Sequence, residues 1–410
     1  MSDPAARLVP ALGLVAMVAL AWLFSSDRRR VPWRVVSWGM GLQLGLAVLL
    51  LKTAPGRGFF VGVNDVVVRV VRYTEAGVRF VAEPLLETGF SIFLQVLPII
   101  VFMGSLFAIL YHLGVVQRVV RGMAWALTRT MGVSGAESLA AVANVFVGMT
   151  EAPLLVRPYV ERMTRSELFT LMTTGMATVA GSVLVAYVQI LGGGDFAGHL
   201  VTASLLSAPA GILLAKVMVP ETGEPETGSG VQPHLQGTTV NVIDAAAQGG
   251  LAALRLAAYV GALLVVFVAL VALGNDVVAG VGGLVGIPDL TLQRIFGWIF
   301  APLAWLMGIP WSEAPAVGSL LGVKTVLNEF FAYQELGAMM QGDALSPRSA
   351  VIASYALCGF ANFGSLGILL GGLGGIAPSR RGELAQLGLR SILAGTLATL
   401  MTGCVAGILL

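Results

Sequence analysis

Charge is scarce in this chain. Of 410 residues only 11% are Asp, Glu, Lys or Arg and 57% are hydrophobic, whereas a soluble globular domain is about 25% charged. Mean hydropathy is +0.87. This excludes an ordinary soluble protein and indicates a polytopic membrane protein. Cysteine is scarce too: Cys358 and Cys404 both lie in apolar segments, which excludes a disulfide framework and leaves buried free thiols. The three histidines, His112, His199 and His234, are scattered without metal-ligand spacing. Net charge is +2 and no basic tract is interleaved with aromatics, so nucleic-acid binding has no electrostatic footprint. HExxH, GxSxG and a Walker loop are missing. An intramembrane enzyme, one alternative for such a chain, would therefore lack a nucleophile–base pair.

What the chain does have is long apolar runs. Eight of membrane length lie near 6–24, 35–51, 92–114, 168–191, 197–219, 251–273, 349–371 and 386–410. The first, Ala5 to Phe24, is followed by Arg28, Arg29, Arg30 and Arg34 and shows no small-residue cleavage site. It reads as a spanning helix with an outside N-terminus, not a signal peptide. Residues 59–83 carry Asp65, Arg69, Arg72, Glu75 and Arg79 among valines and aromatics, the pattern of an interfacial helix or of a soluble surface helix. Residues 118–163 hold two moderately apolar segments with arginines at both ends. We read them as two half-depth helices joined by a turn, and Ser134-Gly135-Ala136-Glu137 as a capping box opening the second. Residues 297–342 repeat the arrangement, broken by Pro302, Pro310 and Pro315. Irregular backbone at membrane depth is tolerated only where protein or a cavity covers it, so both stretches are expected to be re-entrant hairpins. Residues 220–240 form a polar linker to which we assign no chemistry. Placing residues 25–34 in the cytoplasm puts the first hairpin, the 216–250 connection and the Arg380-Arg381 turn on that side, with the second hairpin entering from outside. The arginines of the 52–79 region are the exception.

Two patterns put an acid where lipid disfavours one. Gly148-Met149-Thr150-Glu151 is followed by Gly175-Met176-Ala177-Thr178-Val179, and Val326-Leu327-Asn328-Glu329 by Gly359-Phe360-Ala361-Asn362-Phe363. Paired elements of this kind characterise repeat-built secondary transporters, whose site lies near the bilayer midplane. Glu151 and Glu329, beside Thr150 and Asn328, can accept hydrogen bonds from hydroxyls or amines or help hold a cation; the bland alternative is a glutamate satisfied by backbone amides of the turn. The glycine clusters around Thr178 and Asn362 mark either close helix packing or unwinding. Asn144 is either a helix–helix hydrogen bond or an oxygen ligand for a hard cation. Phe360 either stacks on an aromatic ligand or is core. Lys324 either pairs with Glu329 or snorkels outward.

Gly322-Val323-Lys324-Thr325-Val326-Leu327-Asn328-Glu329-Phe330-Phe331-Ala332-Tyr333 closely resembles the G-x-K-x-x-x-N-E-F-x-A-Y signature of concentrative nucleoside transporters. Gly148 to Pro153 resembles that family's G-Q-[TS]-E-A-P hairpin tip, and Gly359 to Ser365 its seventh-helix motif. The matches fall in order over residues 90–410. The resemblance implies an all-α polytopic membrane protein with eight transmembrane helices, an interfacial helix and two opposed re-entrant helical hairpins, with an inverted-repeat transport domain in a homotrimeric scaffold. The scaffold would comprise residues 1–117 and 220–296, and the transport parts 118–219 and 297–410, moving as an elevator. It implies that Met149, Thr150 and Glu151 meet the nucleobase, with Val183 packed near it. Glu329, Asn362 and Ser365 would bind the ribose, and Phe360 would line the pocket. Asn144, the Val147 carbonyl, Thr178 and the Val179 carbonyl would hold Na+. Met149 departs from the usual glutamine, removing an amide that reads the base edge, and Thr178 stands where serine is common. The expected protein is a multi-pass symporter of the bacterial inner membrane, importing nucleosides with Na+. Coupling to H+ is the alternative.

Overall fold

The computed structural model describes residues 4–86, 91–193, 196–228, 239–284, 286–287 and 289–410. Among these, all regular structure is helical. Helices α1 (Pro4–Leu23), α2 (Trp33–Lys52) and α3 (Ala54–Leu86) are followed by a π turn (Ile92–Val96) leading into α4 (Leu97–His112). Next come α5 (Val115–Met131), α6 (Gly135–Val147), the short α7 (Ala152–Leu155) and α8 (Arg157–Val160), α9 (Arg165–Ala177), α10 (Gly181–Ile190) and α11 (Phe196–Met218). The chain then runs through α12 (Val242–Leu284), α13 (Leu292–Leu306), α14 (Ala314–Val326), α15 (Glu329–Gln341), α16 (Pro347–Leu357), α17 (Phe363–Ile376) and α18 (Arg381–Leu409).

The order α5 to α11 recurs as α13 to α18: a preceding helix, a half-length leg, a tip, a return leg, a broken helix and a long closing helix. Among the described residues, six stretches are long and apolar enough to cross a membrane: 33–52, 92–112, 165–190, 196–218, 242–284 and 378–409. Their burial differs. α9, α10, α11 and α18 are packed inside the protein, whereas α12 exposes Leu251, Val265, Leu273 and Val277. Apolar side chains facing outward are what lipid, or another copy, would cover.

The runs at 168–191 and 349–371 are interrupted, as their glycine clusters allowed: the first breaks between Ala177 and Gly181, the second between Leu357 and Phe363. Other expectations need correction. The first hairpin is Gly135–Val160, not 118–163, because Val115–Met131 buries one stripe (Val116, Val120, Ala124, Leu127) while Arg118, Arg121 and Trp125 stay exposed. Pro302 lies within α13 and breaks nothing, whereas Pro315 opens α14. The interfacial candidate spans 33 residues, kinked at Ala82. The helix expected at 251–273 has 43 residues, about 65 Å, twice the hydrocarbon core of about 30 Å.

The linker is not structureless where it is described. Gly135 N donates to Thr227 O at 3.0 Å and Ala136 N to Thr227 Oγ1 at 3.1 Å, so Thr227 satisfies free amides of α6. Its residues 229–238, with His234, lie outside the described residues. Beneath it, the predicted capping box is present: Ser134 N donates to Glu137 Oε1 at 2.7 Å. Thr164 and Glu167 form a second box on α9, and Ser134 Oγ joins the two by donating to Glu167 Oε1 at 2.6 Å. Lys216 Nζ lies 2.8 Å from Glu137 Oε2 and 3.1 Å from Glu221 Oε2. This buried network ties the open ends of α6 and α9 to α11, and so fixes where the hairpin tip is delivered.

Candidate functional site

The site is assembled from two hairpin tips and two broken helices. At the first tip Gly148, with φ of 98°, ends α6. A Cβ there would lie 3.1 Å from Glu151 Oε2 and 3.1 Å from Ala180 Cβ, and a side chain would be strained by the positive φ as well. Glycine thus lets the tip lie against the start of α10. Thr150 Oγ1 donates to Glu151 Oε2 at 2.7 Å, and Glu151 is exposed. Met149 is buried beside Gly175 of α9: a Cβ on Gly175 would meet Met149 Cβ at 3.3 Å.

At the second tip, Asn328 caps α15 by accepting from Phe331 N at 2.9 Å. Glu329 is 6% exposed. Its Oε1 accepts from the Tyr187 hydroxyl at 2.8 Å and its Oε2 from Asn362 Nδ2 at 2.8 Å. Asn362 in turn accepts from Ser365 N at 2.7 Å, capping α17. Each carboxylate oxygen keeps a lone-pair direction, and Asn362 keeps an N–H. The cluster therefore still has acceptors and a donor to offer a polyhydroxylated ligand. Phe360 is half-buried at the same break.

α10 joins the two tips. Ala180, at its N-terminal end, touches the first tip, and Tyr187 holds Glu329. These residues are separated by about 10 Å along the axis, and Val183, 4% exposed, lies between them. The broken helices also meet directly: a Cβ on Gly359 would lie 2.9 Å from Ala177 O and 3.0 Å from Met176 O.

Asn144 makes the helix–helix hydrogen bonds that the sequence left open. Its Nδ2 donates to Thr174 O at 2.8 Å and Thr178 Oγ1 at 2.7 Å, bridging α6 and α9. Its Oδ1 is buried and has no hydrogen-bond partner, a costly arrangement unless a donor or cation completes it. Val147 ends α6, so its carbonyl has no intrahelical partner. Thr178 and Ala180 are extended, and Val179 O accepts only a 3.2 Å bond from Ser204 Oγ among the described contacts. An amide oxygen, a hydroxyl and unwound carbonyls are the donor set of a Na+ site in a transporter.

Lys324 does not snorkel; it is held within electrostatic reach of Glu329 without a direct ion pair to it. It is 1% exposed, and its Nζ donates to Ala356 O at 2.8 Å and Thr399 Oγ1 at 2.9 Å, at the carbonyl end of α16, where a cation complements the helix dipole. Tyr187 was missed. Its only sequence signal is a polar hydroxyl in the apolar run Val183-Leu184-Val185-Ala186-Tyr187-Val188. An apolar cavity of 150 Å³ between α12, α13 and α14, lined by Phe267, Leu270, Phe296 and Val326 among others, contains none of the predicted site residues.

Comparison with known proteins identifies the family. Residues 12–85 and 199–407 match the family descriptions "Na+ dependent nucleoside transporter N-terminus" and "C-terminus", and residues 93–194 match "Nucleoside recognition". An uncharacterized transporter of Haemophilus influenzae is 44% identical, covering 97% of this chain and 96% of that protein. Solute carrier family 28 member 3 of Mus musculus is 42% identical over 98% of this chain and 59% of its own length. The structure of CNTnw in an inward-facing substrate-bound state superposes with a TM-score of 0.92 at 44% identity, covering 98% of each chain. An outward-facing CNTnw variant gives 0.91 at 44% identity, covering 98% and 97%. The chain is a multi-pass membrane protein and not an enzyme, and it belongs to the Na+-dependent nucleoside transporter family.

Proposed function

We propose that this protein is a Na+-coupled nucleoside importer that works as an elevator and assembles as a homotrimer. The observation that carries the coupling is the buried, unpartnered Oδ1 of Asn144 beside the unwound Thr178–Ala180 segment. A cation bound by Asn144, Thr178 and the carbonyls of Val147 and Val179 would tie the end of α6 to the break before α10. That would order the first tip, with Met149, Thr150 and Glu151 facing the base and Val183 beside it. The ribose would then be read by Glu329, Asn362 and Ser365, with Phe360 lining the pocket. Substrate bridging both tips would close the moving part, formed by 118–219 and 297–410, and license it to slide past a scaffold of 1–117 and 220–296. A ligand shifts such an equilibrium only by binding the two states differently. One Na+ crossing a potential of about 100 mV supplies about 2.3 kcal/mol, which corresponds to about fiftyfold accumulation.

The test is uridine and adenosine uptake into vesicles with Na+ and pH gradients varied separately. Uptake above the external concentration that follows the Na+ gradient is expected. Uptake that ignores Na+ and follows pH would reject the sodium reading, and uptake that never exceeds the external concentration would reject active transport.

A further inference from the structure

Tyr187 has no part in the reading above, yet its hydroxyl meets the carboxylate to which that reading assigns the sugar. It is fully buried. Its ring is fixed, stacked on Tyr333 with centroids 4.5 Å apart and planes at 22°, and edge-on to Phe330 at 5.8 Å. Tyr333 is itself anchored, its hydroxyl donating to Ser354 O at 2.8 Å. The terminal torsion of a glutamate is broad and weakly held by its own energetics. In this protein the Tyr187 hydroxyl on Oε1 and the Asn362 amide on Oε2, each at 2.8 Å, pin it from both sides. One lone-pair direction then remains on each oxygen, and two acceptors held in one orientation suit the vicinal hydroxyls of a ribose.

Tyr187 belongs to α10, which begins directly after the extended Thr178–Ala180 segment. The placement of that break therefore sets where the phenol stands, and the phenol sets how Glu329 points. We propose that Tyr187 is the positioning residue that orients the Glu329 carboxylate for the sugar hydroxyls of the transported nucleoside. The proposal rests on Glu329 binding the ribose.

The experiment compares wild type, Tyr187→Phe and Glu329→Gln as full-length protein in vesicles. It measures initial rates for uridine, 2′-deoxyuridine and 3′-deoxyuridine. Binding is followed in detergent by ligand-induced thermal stabilisation, which reads affinity even where the transport cycle stalls. Phenylalanine keeps the stacked ring and removes only the donor. The expected result is a uridine KM raised about tenfold with Vmax within about twofold of wild type. Preference for uridine over at least one deoxy analogue should shrink by a similar factor, because the carboxylate no longer meets the hydroxyls in register. In binding, adding Tyr187→Phe to Glu329→Gln should cost nothing further. If Glu329→Gln abolishes uptake but Tyr187→Phe leaves KM and deoxy preference within twofold of wild type, the positioning role is overturned. A fall in Vmax with unchanged deoxy preference assigns Tyr187 to packing and overturns it equally. If Glu329→Gln transports like wild type, it is the ribose reading that fails.

Discussion

Asn144 pairs a structural contact with an unmet acceptor in the same few ångströms. Its amide nitrogen is fully used in joining α6 to α9, and its oxygen is left buried without a partner. An unmet acceptor costs about 1–3 kcal/mol, which a bound cation would offset. Asn144→Ala is therefore expected to raise the Na+ concentration for half-maximal uptake about tenfold, with a smaller effect on uptake at saturating Na+; sodium titration of initial rates measures this. Met149 presents a different case. Its thioether is polarizable but a weak acceptor, and it sits buried beneath the first tip against Gly175. Met149→Gln is expected to change the ranking of purine and pyrimidine nucleosides in competition uptake. An unchanged ranking would remove Met149 from the pocket. Met149 was visible in the sequence because it falls inside an ordered motif, and Asn144 because an amide stands in an apolar run just before that motif. Tyr187 was not, because its partner Glu329 lies 142 positions away and nothing in the local pattern records a contact made across the fold.

At the scale of elements, the molecule depends on helices that stop. α9 and α16 each end inside the protein and resume a few residues later as α10 and α17, and the two breaks lie against each other at Gly359. A Cβ there would come within 2.6 Å of Thr399 Cγ2 as well as within about 3 Å of the Ala177 and Met176 carbonyls, and backbone atoms cannot swing aside. Gly359→Ala is expected to cost about 1–3 kcal/mol through overpacking, seen as a lower midpoint of thermal unfolding in detergent and as reduced uptake. The glycine clusters pointed to both breaks but left packing and unwinding as alternatives. The structure contains both: glycine permits the close crossing, and the crossing is made of unwound backbone. The shift of the first hairpin to Gly135–Val160 has an equally local cause. Val115–Met131 buries only one stripe of side chains and keeps its arginines exposed, so it cannot serve as a leg enclosed by protein.

For the molecule as a whole, burial separates two kinds of helix. α9, α10, α11 and α18 are enclosed, whereas α4 and α12 pack on one another and leave α12 bare along much of its length. The enclosed set carries the break between α9 and α10, and its α18 packs against α16 and α17 on both sides of the other, which is consistent with a moving body held by a peripheral frame. The bare face of α12 exposes Leu251, Val265, Leu273 and Val277, and in the proposed trimer neighbouring copies would cover it. We expect light scattering in detergent, corrected for bound detergent, to give three times the 42.6 kDa chain mass. A monomeric mass would remove the trimeric scaffold from the proposal.

Composition and motif order by themselves determined that this chain is a polytopic helical membrane protein. They also located the two acid-bearing tips and the two interrupted helices, because lipid leaves few places for carboxylates and glycine clusters. Only the tertiary structure decided which of those groups touch. It set Lys324 on the carbonyl end of α16, supplied Tyr187 to Glu329, and left the Asn144 oxygen unpartnered. Hydrogen bonds at 2.8 Å are set by how whole helices cross, and local sequence spacing carries no measure of that crossing.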